Sequence, residues 1–200
     1  MKFTILDYSV GNLFSISNAF KKENIDVRLS SSPSDIRESD AIILPGVGSF
    51  PAAMKRIERI RDILFDVLPE KYFFGVCLGL QLFFKRSSEG GVDTQGLGFL
   101  KGEVIELPGN VKKPHMGWNR VVKTDESLLL ENLKHFYFYF AHSFFVKPEN
   151  SRVVKAVVDY GVSIPAVVEY ENIFGTQFHP EKSGKDGKVV IRNFIKIVKR

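Results

Sequence analysis

The stretch Tyr72-Phe73-Phe74-Gly75-Val76-Cys77-Leu78-Gly79-Leu80-Gln81 carries the chain's only cysteine. An apolar run stops at a glycine, the thiol follows, and a second glycine comes two positions later. That is a strand ending in a sharp turn into a helix, the nucleophile-elbow layout, with sulfur where a hydrolase carries serine. Such a turn is tight and strains the nucleophile's backbone, so neighbours bearing a Cβ would clash. A helix starting straight after Cys77 would aim free N–H groups and a positive dipole end at the sulfur, favouring thiolate. A buried structural cysteine at a strand end would give the same string, because free cysteine is among the most buried residue types. The segment alone leaves both readings open.

Outward from Cys77, short β-like runs alternate with helical ones. Lys2–Leu6 reads as a strand, and 12–22 places Leu13, Ile16, Ala19 and Phe20 at helical spacing. Strands are expected at Asp26–Ser30 and at Ala41–Leu44, the latter ending in Pro45-Gly46-Val47-Gly48. A helix over 52–68 leads to the strand Tyr72–Val76 and the helix after Cys77. This βαβα order predicts a parallel sheet with helices on both faces. The second half is richer in strands, expected at 102–107, 119–123, 136–146, 153–159, 166–170 and 173–178. They would extend the sheet and add an antiparallel portion. Residues 182–200 read as a closing amphipathic helix with Val189, Val190, Phe194, Ile195 and Val198 inward. The expected class is α/β, a mostly parallel central sheet flanked by helices, and residues 1–200 read as one domain.

Composition narrows the function classes. The 44% hydrophobic and 26% charged fractions are those of a globular protein. One cysteine allows no internal disulfide and suits a reducing compartment. The opening Met1–Asp7 has too short an apolar stretch for a signal peptide, and no later run approaches a membrane span, so a cytoplasmic location is expected. A net charge of +5 invites a nucleic-acid reading, but the basic residues are scattered outside the last helix. There, lysines opposite an apolar face read as solvated surface. No nucleic-acid motif is present.

A cysteine nucleophile needs a base, and the base an orienting group. Of His115, His135, His142 and His179, only His179 has fitting company, in Phe178-His179-Pro180-Glu181 at a strand end. Pro180 blocks helix continuation, so His179 and Glu181 can point to a common side across a short extended turn. Glu181 would hold one imidazole nitrogen and leave the other facing sulfur. An ordinary surface turn would also hold a His and a Glu, and only the elbow cysteine on a neighbouring strand favours catalysis. An oxyanion hole would draw on the N–H groups of Leu78 and Val47. The alternating Phe136-Tyr137-Phe138-Tyr139-Phe140 puts aromatics on both faces of a strand, which suits core packing on one face and a partner surface on the other.

Elbow cysteine, Gln81, and His-x-Glu about a hundred residues on resemble the class I (triad) glutamine amidotransferases over the whole chain. Four further blocks resemble one branch of that family, the glutaminase subunits of imidazole glycerol phosphate synthases. They are Asp7-Tyr8-Ser9-Val10-Gly11-Asn12, Pro45-Gly46-Val47-Gly48-Ser49-Phe50, Pro114-His115-Met116-Gly117-Trp118-Asn119 and Tyr139-Phe140-Ala141-His142-Ser143-Phe144. Departures are small: Ser9 stands where glycine is usual, Leu80 for a common Met, and Phe144 for a common Tyr, which removes a phenol hydroxyl.

The resemblance implies a triad of Cys77, His179 and Glu181 hydrolysing L-glutamine, with Val47 and Leu78 holding the tetrahedral intermediate. It implies glutamine contacts at Gly46, Gln81, Glu89, Ser143 and Phe144, with Glu89 offering charge to the ammonium. It further implies a (β/α)₈-barrel cyclase as partner in a heterodimer, contacted through Asn12, Trp118, Tyr139 and Lys182, although Trp118 could equally be a local core residue. Ammonia would pass to that cyclase, which makes imidazole glycerol phosphate and aminoimidazole carboxamide ribotide in histidine biosynthesis. No cofactor, metal, nucleic acid or membrane is expected. Three rivals stand beside it: the same chemistry for anthranilate or GMP synthesis, a non-catalytic binding module on the same fold, and a stand-alone cysteine hydrolase.

Overall fold

Strands and helices alternate through the first half of the computed structural model, which describes residues 1–8, 13–46, 48–91 and 93–200. The order is β1 (Lys2–Leu6), α1 (Phe14–Lys21), β2 (Asp26–Ser30), α2 (Pro33–Glu38), β3 (Ala41–Leu44), α3 (Phe50–Ile57), α4 (Arg61–Val67), β4 (Tyr72–Val76) and α5 (Leu78–Leu82). Strands dominate afterwards: β5 (Phe84–Ser87), β6 (Thr94–Gln95), β7 (Leu100–Glu106), β8 (His115–Lys123), β9 (Tyr137–His142) and β10 (Phe144–Pro148). Then come β11 (Val154–Asp159), β12 (Ser163–Tyr170), β13 (Ile173–Thr176) and α6 (Gly184–Val198).

Among the described residues, nine strands form one sheet in the order β2-β1-β3-β4-β13-β12-β11-β8-β9. The β2 to β13 portion is parallel, and β12, β11, β8 and β9 run antiparallel in succession. This is the expected class. A second sheet, β10-β7-β5-β6, stands apart from it.

Period-two alternation divides the core between the two faces of the large sheet. Phe3, Ile5, Ile43, Phe74 and Phe174 point to one side and meet Phe20 of α1 and Phe194 of α6. Ile42, Leu44, Phe73 and Ile173 point to the other, against Ile36, Met54, Ile57 and Leu64 of α2 to α4. Phe194 stacks on Phe74 at 4.7 Å and meets Phe3, Phe20 and Phe174 edge-on. Deleting such a ring costs about 3–5 kcal/mol in comparable cores. The described helices include none long and apolar enough to cross a membrane.

The structure corrects several sequence-based boundaries. The expected helix over 52–68 is interrupted by a 3₁₀ turn at Glu58–Ile60, which lets α3 and α4 pack as separate rods. The short elements α2, β5 and β6 were not expected; they are too brief for a period to show. The expected strand over 136–146 is two strands in two different sheets. β9 pairs with β8, whereas β10 pairs with β7, and Ser143 lies at the break. There the Ser143 carbonyl accepts from Leu107 N at 2.8 Å, which turns the chain from one sheet to the other. Strand β8 starts four residues earlier than expected and takes in the block from His115 to Asn119.

Candidate active site

The candidate residues converge at the C-terminal ends of the parallel strands β3, β4 and β13, where open α/β sheets place their sites. Cys77 follows β4, Gly46 follows β3, and His179 follows β13. The elbow is as sharp as its glycines suggest. Cys77 has φ +50° and ψ −104°, a strained conformation for a residue with a side chain. It is held by its own N–H, which donates to the Thr176 carbonyl at 2.7 Å. A Cβ at Gly79 would sit 1.9 Å from the Leu44 carbonyl oxygen, and one at Gly75 would sit 2.5 Å from Leu80 N. Helix α5 therefore lies directly on the sheet backbone. It is only five residues long, so it offers the sulfur the free N–H groups of one turn rather than a long helix dipole.

His179 Nδ1 lies 2.9 Å from Glu181 Oε1, with both side chains buried. The turn differs from the extended one expected: Pro180–Lys182 form a 3₁₀ turn, with Pro180 at its first position. Lys182 N donates to the His179 carbonyl at 3.1 Å, and this curl brings Glu181 back to its own imidazole. The His179 N–H donates to Tyr139 O at 2.9 Å, fixing the turn against β9. Gly46 packs into the angle between Cys77 and His179; a Cβ there would lie 2.8 Å from Cys77 Cβ and 3.1 Å from His179 Cε1. Burial disfavours a charged His179, but the Cys77 sulfur and then Glu181 outweigh it and raise the imidazole to about 10. A positive charge thus stands beside the nucleophilic atom. Glu181 Oε2 is buried and has no hydrogen-bond partner among the described residues, which leaves Oε1 as the oxygen that meets His179.

A pocket of about 270 Å³ opens over the sulfur. Its wall includes Gly46, Leu78, Gln81, Glu89, Ser143 and Phe144, the positions expected to meet substrate. Glu89 is half-buried, and its Oε2 accepts from Phe50 N at 2.7 Å, so it caps α3 while facing the pocket. Val47, the second expected oxyanion donor, and Asn12, an expected partner contact, lie outside the described residues. The other three expected partner contacts form one patch. Trp118, 58% exposed, pairs across the strands with Tyr139 at 6.3 Å, and Lys182 Nζ lies 6.0 Å from the Tyr139 ring. Trp118 is therefore a surface residue and not a core one. Met116 and Tyr137 are exposed on the same two strands, whereas Phe138 and Phe140 are fully buried.

Sequence reasoning missed Gln177, whose Nε2 donates to Cys77 Sγ at 3.5 Å. It sits two residues before His179 on the same chain end, and that proximity was the available signal. Tyr8 was also missed: its buried hydroxyl donates to Pro45 O at 2.5 Å, tying the first strand's end to the turn at Gly46. Burial and the nearby Cys77 hold that phenol well above the usual tyrosine range.

An elbow cysteine, a histidine on an adjacent strand end and a carboxylate behind it are the arrangement of a cysteine nucleophile with its base, on a mostly parallel sheet. The chain belongs to the class I glutamine amidotransferase family, whose model, described as "Glutamine amidotransferase class-I", matches residues 4–198. It is 46% identical over 196 residues to the imidazole glycerol phosphate synthase subunit HisH of Methanothermobacter thermautotrophicus, covering 98% of each chain. It is 43% identical to the HisH subunit of Archaeoglobus fulgidus, again over 98% of each. Among solved structures, one titled "Crystal structure of glutamine amidotransferase" superposes with a TM-score of 0.79 at 19% identity, covering 99% of each chain.

Proposed function

We propose that this chain is the glutaminase of an imidazole glycerol phosphate synthase, hydrolysing L-glutamine through Cys77, His179 and Glu181 and passing ammonia to a separate (β/α)₈-barrel cyclase. Cys77 Sγ attacks the side-chain carbonyl, and His179 protonates the departing ammonia. His179 then activates the water that releases glutamate from the thioester. The oxyanion is held by the N–H of Leu78 and, in this reading, of Val47. Gly46, Gln81, Glu89, Ser143 and Phe144 surround the glutamine. The hydrolysis belongs to this chain; the lyase step, giving imidazole glycerol phosphate and aminoimidazole carboxamide ribotide, belongs to the cyclase.

The observation that carries the proposal is the 2.9 Å His179–Glu181 contact behind an elbow cysteine that itself lines a pocket of about 270 Å³. Relatives named as HisH at 46% and 43% identity support the choice of acceptor. The exposed Trp118, Tyr139 and Lys182 patch supports a docking face beside the site, with Asn12 as a further contact. We further propose that residues 1–200 form one glutaminase domain working in the cytoplasm. Its support is a large sheet that joins β1 and β13, from opposite ends of the chain, around the same site.

The test mixes the protein with a candidate barrel cyclase and follows glutamate release with and without the cyclase's ribulosyl ligand. Glutamate should appear slowly from the glutaminase alone and much faster with the liganded cyclase. Equal rates in all three mixtures would discard the partner-gated reading. A Cys77→Ala variant should lose glutamine-driven synthesis while added ammonia still supports the cyclase.

A further inference from the structure

Two of the four histidines are buried without belonging to the candidate triad. His115 of β8 and His142 of β9 stand directly opposite each other across the strand pair. Their ring nitrogens, His115 Nδ1 and His142 Nε2, are 3.0 Å apart. The direction of each hydrogen bond follows from its neighbours. His142 Nδ1 lies 2.9 Å from the Phe144 carbonyl, which only accepts, so Nδ1 carries the proton and Nε2 is the acceptor. His115 must then donate from Nδ1, leaving its Nε2 to accept from Asn119 Nδ2 at 3.4 Å. Asn119 also donates to Asp159 O at 3.1 Å, which fixes the amide's orientation. Both imidazoles are satisfied only as neutral Nδ1–H tautomers. Stacking of His115 between Phe140 and Tyr160, at 4.7 Å and 4.0 Å, holds its ring plane.

The other end of this chain of bonds reaches the nucleophile. The Phe144 carbonyl accepts a second bond, from Gln81 Nε2 at 2.7 Å. The same Gln81 amide lies 3.3 Å from Gln177 Oε1, and Gln177 Nε2 reaches Cys77 Sγ at 3.5 Å. Gln81, His142 and Phe144 all line the pocket over the sulfur. One carbonyl oxygen is thus shared between His142, which is paired with His115 at the pocket wall, and the Gln81 amide.

We propose that His115 and His142 are positioning residues for glutamine: the neutral pair fixes the Phe144 carbonyl, which in turn aims Gln81 into the pocket and, through Gln81, holds Gln177 against the Cys77 sulfur. The proposal rests on the glutaminase reading above. The Phe144 carbonyl is a fixed polar point on this wall, held by His142 Nδ1 at 2.9 Å and by Gln81 Nε2 at 2.7 Å. Ser143, between His142 of β9 and Phe144 of β10, is where the chain leaves one sheet for the other. The histidine pair adds side-chain bonds there to the backbone bond that the Ser143 carbonyl accepts from Leu107 N.

The test is steady-state glutamine hydrolysis by the complex with liganded cyclase, for His142→Leu, His142→Asn and His115→Phe. Asparagine can place an amide donor where His142 Nδ1 stands, and phenylalanine keeps the His115 stack without its donor. His142→Leu and His115→Phe should raise the KM for glutamine about five- to tenfold, with kcat changed less. His142→Asn should recover most of the loss. An unchanged KM in both, or an asparagine variant as impaired as leucine, would reduce the pair to packing. Long-range ¹H–¹⁵N spectra of the unmodified protein should show both imidazoles as neutral Nδ1–H, and an Nε2–H tautomer at either would overturn the relay even if a variant fails to fold. Absence of glutamate release from the unmodified complex would instead refute the glutaminase reading, which separates the two failures.

Discussion

Glu181 accepts from His179 across only one intervening residue, because Pro180 starts a 3₁₀ turn that folds the carboxylate back onto its own imidazole. In the proposed triad, the orienting group and the base therefore move as one rigid unit. That unit is fixed to β9 through the Tyr139 carbonyl and to Ser183, whose hydroxyl donates to His179 O at 2.6 Å. Orientation of the base is built into a local turn, whereas its approach to sulfur depends on the packing of β13 against β4.

Replacing Glu181 by Gln leaves the side chain's size but removes the charge that steadies the imidazolium and fixes its tautomer. Glutamine-dependent kcat should fall about a thousandfold or more, by analogy with amide replacement in other triads. The fold should survive, since the carboxylate is needed for one hydrogen bond only. A loss under tenfold, measured with liganded cyclase, would assign the orienting role elsewhere.

Gly79→Ala tests the contact of α5 with the sheet. A Cβ there would fall 1.9 Å from the backbone oxygen of Leu44, which has no flexible end to yield. The substitution should destabilise the protein by about 3 kcal/mol, at the upper end for overpacked cores, and displace Cys77. Urea unfolding at fixed pH measures it, and an unchanged midpoint would contradict the close approach.

Trp118→Ala tests the docking face. The side chain is mostly exposed and its loss should leave the unfolding midpoint unchanged. As an aromatic anchor at an interface it should cost about 2 kcal/mol, or about thirtyfold in Kd for the barrel cyclase. Calorimetric titration reads this directly. Tight binding by the variant would move the interface away from β8 and β9.

Acid should weaken the fold through His142. Burial, and next the neighbouring His115, push its imidazole down from 6.5 to about 3, although the bond to Phe144 O works the other way. As pH falls, the unfolded chain binds this proton first, near 6.5, and the folded chain only near 3. The stability that His142 confers by staying neutral is thus complete above pH 6.5 and is lost progressively between 6.5 and 3. Its slope reaches at most about 1.4 kcal/mol per pH unit. Urea unfolding between pH 7 and 4 should show a shallower acid decline for His142→Asn, which cannot titrate. Parallel curves would rule out a His142 whose proton affinity falls on folding.

Much of this architecture is legible in local pattern. Ala41–Leu44, followed by Pro45-Gly46, and Tyr72–Val76, with Gly75 near its end, are short apolar runs, and both are strands with the bounds expected. Gly75 and Gly79 marked the elbow because no other residue fits the backbone contacts there. The strand from 136 to 146 was misread because its alternation continues through Ser143, and nothing in the string says that the two halves pair with different sheets. The 3₁₀ turn at Glu58–Ile60 escaped for a similar reason, since apolar spacing carries on across it.

The sharp turn at Cys77 and the joining of His179 to Glu181 were determined by the sequence itself, because each depends on residues a few positions apart. Tertiary structure alone decided that Gln177 would reach the sulfur, that Trp118 would face solvent, and that His115 would meet His142 beneath the pocket wall. Those relationships depend on strand order and register. Residues 27 to 100 positions apart become neighbours only once burying two apolar faces of one sheet has fixed which strand lies beside which.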